Sequence, residues 1–140
     1  MLGLIDIAKE LSKNAHQNQF DKAGQPYYLH PEKVASFVET DMEKAVAYLH
    51  DVLEDTETTV EDFRKAGISE EVVEAVVLLT HKKDEPYFDY LKKVKQNDLA
   101  REVKLADLKH NSDISRLENP SEKDFERLEK YKRARKFLME

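Results

Sequence analysis

The segment DMEKAVAYLHDVLED, residues 41–55, has the residue pattern of an amphipathic helix. Its apolar residues recur every three or four positions, and Asp41 is a residue type that caps helices. Plotted at about 100° per residue, the apolar side chains lie opposite a polar arc. That arc gathers one imidazole and three carboxylates, from His50, Asp51, Glu54 and Asp55. A solvated acidic face is the alternative interpretation, although four such groups without a lysine or arginine among them repel one another.

The residues before this segment predict two further helices joined by a loop. Helical spacing of apolar residues extends over residues 3–19. Residues 20–30 lack that spacing and contain Gly24 and Pro26, which is typical of a loop. Pro31 then suits the first turn of a second helix.

The residues after the segment predict five more helices with short connections. The first begins at the capping-box pair Thr58 and Glu61 and ends at Gly67. The others begin at Ser69, at Pro86, at about Asp98, and at Ser121, which has capping-box spacing to Asp124. The helix after Ser69 is rich in valine, so a strand is the alternative there. The chain is therefore expected to be all-α, a single-domain irregular bundle of about eight helices over residues 1–140.

Composition narrows the possible functions. Of 140 residues, 23 are Lys or Arg and 29 are Asp or Glu, which gives a formal net charge of −6. This balance argues against a general DNA or RNA binder, which usually has a basic face. The N-terminal sequence has no signal-peptide pattern, no apolar run is long enough to span a membrane, and cysteine is absent. A cytoplasmic protein without a membrane partner is expected, and its oligomeric state stays open.

A second polar cluster lies in residues 103–111, VKLADLKHN. Lys104, Asp107 and Asn111 are spaced so that a cation, a carboxylate and an amide share one helical stripe. A polar surface stripe is the alternative interpretation. Lys104 is also a candidate to meet a phosphate group as a point charge.

Four side chains from three segments could share one metal ion: His30, His50, Asp51 and Asp107. Mixed nitrogen and oxygen ligands suit a divalent ion such as Mn, Fe or Zn better than Ca. Four protein ligands leave positions for water and substrate, as in a catalytic site. Glu54 and Asp55 lie about 6 Å further along the helix axis, where a carboxylate can orient a water molecule and accept its proton.

Other polar residues near these segments are given weaker roles. Structural hydrogen bonding is expected for His16 and His81. His110 points about 100° away from its neighbour in the stripe and is left out of the ligand set. Lys82 and Lys83 are either phosphate-binding or solubilising residues.

Four segments, in this order and spacing, resemble the HD-domain hydrolase of RelA/SpoT-type alarmone enzymes and the stand-alone small alarmone hydrolases. They are residues 15–19 (AHQNQ), 21–31 (DKAGQPYYLHP), 49–56 (LHDVLEDT) and 103–111 (VKLADLKHN), and the likeness runs from about residue 4 to residue 116. The resemblance implies an all-helical, Mn²⁺-dependent phosphohydrolase. It also implies removal of the 3′-pyrophosphate from guanosine tetra- or pentaphosphate, a small phosphorylated nucleotide, with no synthetase activity expected.

By this resemblance the metal ligands are His30, His50, Asp51 and Asp107. Glu54 and Asp55 would activate the water, Asn111 would line the nucleoside pocket, and Lys22 would lie near the base or phosphates.

Two positions depart from the family pattern, because Asp21 stands where the long hydrolases carry a guanine-stacking Arg and Ile114 where they usually carry Thr. Asp21 removes a base contact and adds a repulsive charge near the phosphates. Two alternatives therefore stay open. One is an HD-family phosphatase for another nucleotide or a phosphorylated dinucleotide, and the other is a non-catalytic ligand-sensing or protein-binding module.

Overall fold

A computed structural model describes residues 3–21 and 23–140 of the chain. The helices are α1 (Leu4–Ala15), α2 (Leu29–Ser36), α3 (Asp41–Leu49), α4 (Val52–Asp55), α5 (Val60–Ala66), α6 (Glu70–Leu79), α7 (Tyr87–Lys95), α8 (Asp98–Asn111) and α9 (Glu122–Met139), with a short 3₁₀ helix at Ile114–Arg116. Apart from an isolated bridge between Phe20 and Pro26, these residues contain no β-structure. The predicted all-α fold is confirmed.

Helix α3 lies at the centre of the bundle and contacts α1, α2, α6 and α8. Its inner face, which includes Ala45, Val46 and Leu49, is fully buried. The small alanine side chains let neighbouring helices approach closely. Each fully buried valine or leucine contributes about 1.5–3 kcal/mol relative to an exposed one. The packing fixes the C-terminal end of α3 against α2 and α8, which is where the polar clusters meet.

The predicted continuous helix through residue 53 is wrong, because the chain leaves the helical path after Leu49. His50 and Asp51 form a turn, and Asp51 has φ −106° and ψ −2°, outside the usual α-helical range. Helix α4 then begins at Val52. The break adds one helix to the predicted number and presents the side chains of His50 and Asp51 from a turn.

Two predicted helix caps are each one residue away from the observed ones. Thr40, rather than Asp41, caps α3 through a capping box. Thr59, rather than Thr58, caps α5 with Asp62. In both capping boxes the threonine hydroxyl accepts a hydrogen bond from the backbone N–H three residues later. The acidic side chain of that later residue accepts one from the backbone N–H of the threonine.

Other boundaries follow the sequence more closely. The capping box of Ser121 with Asp124 and the left-handed stop at Gly67 (φ 94°) are both observed. Helix α1 ends at Ala15 instead of residue 19, because the chain turns and Asn18 adopts φ 69°. The valine-rich segment is helix α6, so the alternative of a strand is wrong.

None of the helices in the described part of the chain is both long and apolar enough to cross a membrane.

Candidate functional site

Four polar side chains converge where α2, the turn after α3 and the middle of α8 approach one another: His30, His50, Asp51 and Asp107. Each offers one nitrogen or carboxylate oxygen, and these four atoms all lie within 4.8 Å of one another. Asp107 Oδ1 is 2.8 Å from His30 Nε2 and 3.2 Å from His50 Nε2. Asp51 Oδ2 is 3.1 Å from His50 Nε2. We refer to these four residues as the ligand cluster.

Three members of the ligand cluster are almost completely buried. The exposed fractions are 4% for His30, 3% for His50 and 5% for Asp107. The side chain of Asp51 is 20% exposed, so the cluster opens to solvent on its side. Buried charges of this kind are costly unless they are paired or coordinate a metal.

Both histidines of the cluster are oriented by a bond at the nitrogen that faces away from it. The Nδ1–H of His50 donates to the Ala47 carbonyl at 2.6 Å, and Nε2 faces the other members of the cluster. His30 Nδ1 is 2.7 Å from His110 Nδ1. Burial, followed by the positive charge of Arg116, lowers the pKa of His110 to about 4, so His110 is neutral and can accept from His30.

Asp107 is held by hydrogen bonds at both carboxylate oxygens. Lys104 Nζ donates to Oδ2 at 3.1 Å, and Asn111 Nδ2 donates to Oδ1 at 3.1 Å. Burial alone would raise the pKa of Asp107. The positive charge of Lys104 and the hydrogen bonds from His30 and His50 outweigh burial and hold the pKa well below its usual range. Asp107 is therefore ionised and held in a fixed orientation.

Asp51 and His50 stabilise each other's charged forms. Burial raises the pKa of Asp51, but the charge and hydrogen bond of His50 outweigh it and lower that pKa to about 2. Burial lowers the pKa of His50, and the negative charge of Asp51 outweighs it and raises that pKa well above its usual value. The Tyr27 hydroxyl donates to Asp51 Oδ2, so this carboxylate is also held from the loop before α2.

The donor set of the ligand cluster fits a divalent metal ion. Two imidazole nitrogens and two carboxylate oxygens, with outer hydrogen bonds that fix each of them, match the coordination chemistry of first-row divalent ions. The geometry requires no rearrangement of the helices to bring the four atoms around one point.

Glu54 lies in the wall of the cavity that the ligand cluster opens into, whereas Asp55 does not line this cavity within the described residues. Glu54 Oε1 accepts the backbone N–H of His81 at 2.7 Å. Burial, followed by the negative charges of Asp51 and Asp55, raises the pKa of Glu54 despite that bond. Burial and the charge of Asp51 likewise raise the pKa of Asp55.

The cavity at the ligand cluster, here the metal-site cavity, has a volume of about 200 Å³. Its lining residues include the acidic Asp51, Glu54 and Asp107 and the basic Lys104 and Lys130. It is therefore small, polar and lined by groups of both signs.

A second cavity of about 320 Å³, here the side cavity, shares Asn111 and Tyr131 with the metal-site cavity. Its apolar wall includes Phe20, Ile114 and Leu128. A flat, partly apolar group placed there would lie beside the ligand cluster.

Asp21, which was predicted to add a repulsive charge near the phosphates, is paired with an arginine in the structure. The Asp21 carboxylate is 3.1 Å from Arg116 Nη2 and accepts the backbone N–H groups of Ala23 and Gln25 at 2.9 and 3.0 Å. Arg116 thus balances its charge at the edge of the side cavity. Lys22, which the resemblance placed near the base or phosphates, lies outside the described residues.

Sequence reasoning did not find three residues at the site. Tyr27 contacts Asp51, His110 contacts His30, and Lys130 lines the metal-site cavity. Each of these contacts joins elements that are far apart in sequence, so the local sequence does not reveal it. The one local indication of a site residue among these three was the position of His110 beside the polar stripe of α8. Lys82 and Lys83 are exposed and do not line that cavity in the described part of the chain.

The chain is similar in part to three curated guanosine-3′,5′-bis(diphosphate) 3′-pyrophosphohydrolases. It is 42% identical over 65 residues to that of Aquifex aeolicus, which covers 44% of this chain and 9% of the relative. It is 41% identical over 59 residues to that of Haemophilus influenzae, with 39% and 9% covered. It is 33% identical over 84 residues to a probable member from Mycoplasma pneumoniae, with 57% and 11% covered. The chain thus spans about a tenth of the length of these relatives.

A solved structure described as a metazoan ortholog of SpoT that hydrolyzes ppGpp shares the fold. Its TM-score is 0.76 at 19% sequence identity, and the match covers 99% of this chain and 86% of the other. No family model matches the chain. The resemblance to RelA/SpoT-type hydrolases that the four motifs indicated is confirmed by these relatives, and the HD-type helical fold by this structure.

Proposed function

We propose that this chain is a metal-dependent phosphohydrolase that removes the 3′-pyrophosphate of guanosine tetra- or pentaphosphate or of a related alarmone. The observation that carries the proposal is the convergence of His30, His50, Asp51 and Asp107 on one point beside a polar cavity. The partial identity to proteins named for the same reaction supports the choice of substrate class.

The proposed ligands of the ion are the four members of the ligand cluster, and the proposed ion is Mn²⁺. When bound, a divalent cation polarises the phosphoryl group and makes a water molecule more acidic. The mixed nitrogen and oxygen donor set supports Mn²⁺ over Ca²⁺.

Glu54 is the proposed general base. Its Oε1 is engaged by the His81 N–H, so Oε2 is the oxygen available to take the proton of the attacking water. The raised pKa of Glu54, caused first by burial, brings its basicity closer to neutral pH, where proton transfer is most efficient. Asp55 supports this role through its negative charge, which also raises the pKa of Glu54.

The water oxygen forms a bond to the phosphorus next to the 3′ oxygen, and the bond between that phosphorus and the 3′ oxygen breaks. The 3′ oxygen leaves with the proton that Glu54 took from the water, so the products are pyrophosphate and a guanosine 5′-diphosphate or 5′-triphosphate with a free 3′ hydroxyl. Lys104 holds Asp107 in place, and Asn111 lies at the boundary between the two cavities, where the nucleoside would begin. Lys22 is proposed to approach the base or phosphates.

The test is hydrolysis of guanosine tetraphosphate by the purified chain with Mn²⁺, read as pyrophosphate release on an ion-exchange column. We expect turnover by the wild type and loss of turnover and of bound metal in Asp51→Ala. Retained turnover in that variant would contradict the metal assignment. Mn²⁺ binding without hydrolysis of any nucleotide would favour a non-catalytic binding module.

A second candidate keeps the centre and changes the substrate to another nucleotide or a phosphorylated dinucleotide. The Asp21–Arg116 ion pair at the side cavity favours it, because the resemblance places a guanine-stacking arginine of the long hydrolases at the position of Asp21, and here that position holds a carboxylate engaged by Arg116. A panel of guanosine and adenosine substrates, with and without a 3′-pyrophosphate, separates the two candidates. Preferential turnover of a nucleotide that lacks the 3′-pyrophosphate would establish the second.

A further inference from the structure

Two lysines of the described chain line the metal-site cavity, and only one of them has a carboxylate partner. Lys104 Nζ is 3.1 Å from Asp107 Oδ2, and its side chain is largely buried. Its positive charge therefore compensates a carboxylate of the ligand cluster. Little of that charge remains for an incoming anion.

Lys130, on α9, is half-buried and differs from Lys104 in its surroundings. Its Nζ lies 4.1 Å from the centre of the Tyr87 ring. Within the described residues, no carboxylate lies within ion-pair distance of this ammonium group. Two residues further along, by contrast, Lys132 pairs with Glu129 at 3.4 Å on the outer surface. Lys130 thus brings an uncompensated positive charge to the cavity.

The contact with Tyr87 positions the ammonium group of Lys130 without neutralising its charge. An aromatic face attracts a cation through its quadrupole, but it leaves the three N–H groups of an ammonium free to donate to an anion. Tyr87 itself lines the metal-site cavity and is also 6.0 Å from the Lys104 ammonium. The tyrosine therefore holds Lys130 at a cavity wall.

A phosphorylated substrate needs such a charge because the cavity wall is otherwise rich in carboxylates. Asp51, Glu54 and Asp107 all line it. A diphosphate that approaches Glu54 meets like charge, which a lysine at the same cavity offsets.

We infer that Lys130 is a phosphate-binding residue of this site, which donates to a non-bridging oxygen of the substrate's phosphate groups. The inference rests on the proposed function, since it takes a phosphorylated substrate in the metal-site cavity. Lys130 would act in binding and orienting that substrate and would take no part in proton transfer.

The chain offers a matched control for the contact between α7 and α9. Lys95, on α7, places its Nζ 4.7 Å from the ring of Phe137, on α9. Both lysines are half-buried and both contacts join the same two helices. Lys95 does not line the metal-site cavity in the described part of the chain. Lys95→Met and Lys130→Met therefore remove the same charge and the same type of contact, and differ in their distance from the site.

The experiment compares these two variants and Lys130→Arg with the wild type, all loaded with Mn²⁺. For Lys130→Met we expect KM for guanosine tetraphosphate to rise about tenfold, as for loss of one charged hydrogen bond, with kcat changed by less than about threefold. The dissociation constant of pyrophosphate, measured by calorimetry, should rise by a similar factor. Lys95→Met should leave both constants unchanged, and Lys130→Arg should restore most of the affinity.

The outcomes separate this inference from the proposed function. Equal KM and equal pyrophosphate affinity in Lys130→Met and Lys95→Met would overturn the role of Lys130, even if the wild type hydrolyses guanosine tetraphosphate. If no nucleotide is hydrolysed but pyrophosphate binding weakens only in Lys130→Met, the proposed function fails and the phosphate site stands.

Discussion

The metal-site cavity and the side cavity lie next to each other and are built in different ways. In the metal-site cavity each ligand side chain is fixed by a second group, such as Ala47 for His50 and Lys104 for Asp107. The side cavity has an apolar wall, and its prominent ion pair joins Asp21 to Arg116, 95 residues apart. The side chains whose placement the proposed reaction depends on therefore lie at the more constrained of the two cavities, the metal-site cavity. Under the proposed function, recognition of the rest of the substrate would fall to the side cavity, where Asp21 and Arg116 compensate each other's charge.

Because the two cavities are built differently, substitutions in them are expected to have different consequences. Loss of a positioned group in the metal-site cavity affects the reaction or the metal. A change in the side cavity should alter affinity and the choice of base, because the ion pair there is partly exposed and screened.

The largest effect is expected for Glu54→Gln. The amide keeps the hydrogen bond from His81 but cannot take a proton, so kcat should fall by about 10²–10⁴-fold while Mn²⁺ binding persists. Glu57→Gln is the control, since Glu57 is exposed on the next turn and does not line the described cavities. Steady-state kinetics and metal titration measure both. If Glu54→Gln had the kcat of the wild type, Glu54 would not be the general base.

A smaller effect is expected for His110→Phe, which keeps the ring shape and removes the nitrogen that contacts His30. Loss of an outer partner of a ligating histidine typically lowers metal affinity by about 10–100-fold. Mn²⁺ titration followed by electron paramagnetic resonance measures the change. Equal affinity in the variant and the wild type would show that His110 does not orient His30.

The smallest effect is expected for Asp21→Asn in the side cavity. Asparagine keeps an acceptor for the loop N–H groups but leaves the charge of Arg116 uncompensated. KM for a phosphorylated nucleotide should then fall by about threefold, the size of a partly exposed charge interaction, with kcat unchanged. Asp84→Asn, an exposed loop substitution, controls for the change in net charge. A large fall in kcat would show that Asp21 takes part in the reaction and would contradict the separate roles of the two cavities.

Much of the helical fold could be predicted because it depends on local chemistry. Apolar spacing, the left-handed Gly67 and the Ser121 capping box act within a few residues of one another. The break after Leu49 could not be predicted by a helical projection, which assumes an unbroken helix.

The convergence of the ligand cluster was predictable for a similar reason, since imidazoles and carboxylates in polar stripes are a chemical signal. Their supporting contacts were not. His30 and His110 are 80 residues apart, and the angle of His110 on its helix says nothing about which helix packs there. Helix α2 covers that face of α8, which only the tertiary packing reveals. Tertiary packing likewise brings Lys130, near the C-terminal end of the chain, to the metal-site cavity.

The proposed metal site is tested most directly by a crystal structure of the chain grown with Mn²⁺, with anomalous scattering used to locate the ion. We expect one strong peak within bonding distance of one atom from each of His30, His50, Asp51 and Asp107. A peak elsewhere, or any of those side chains turned away from the ion, would contradict it.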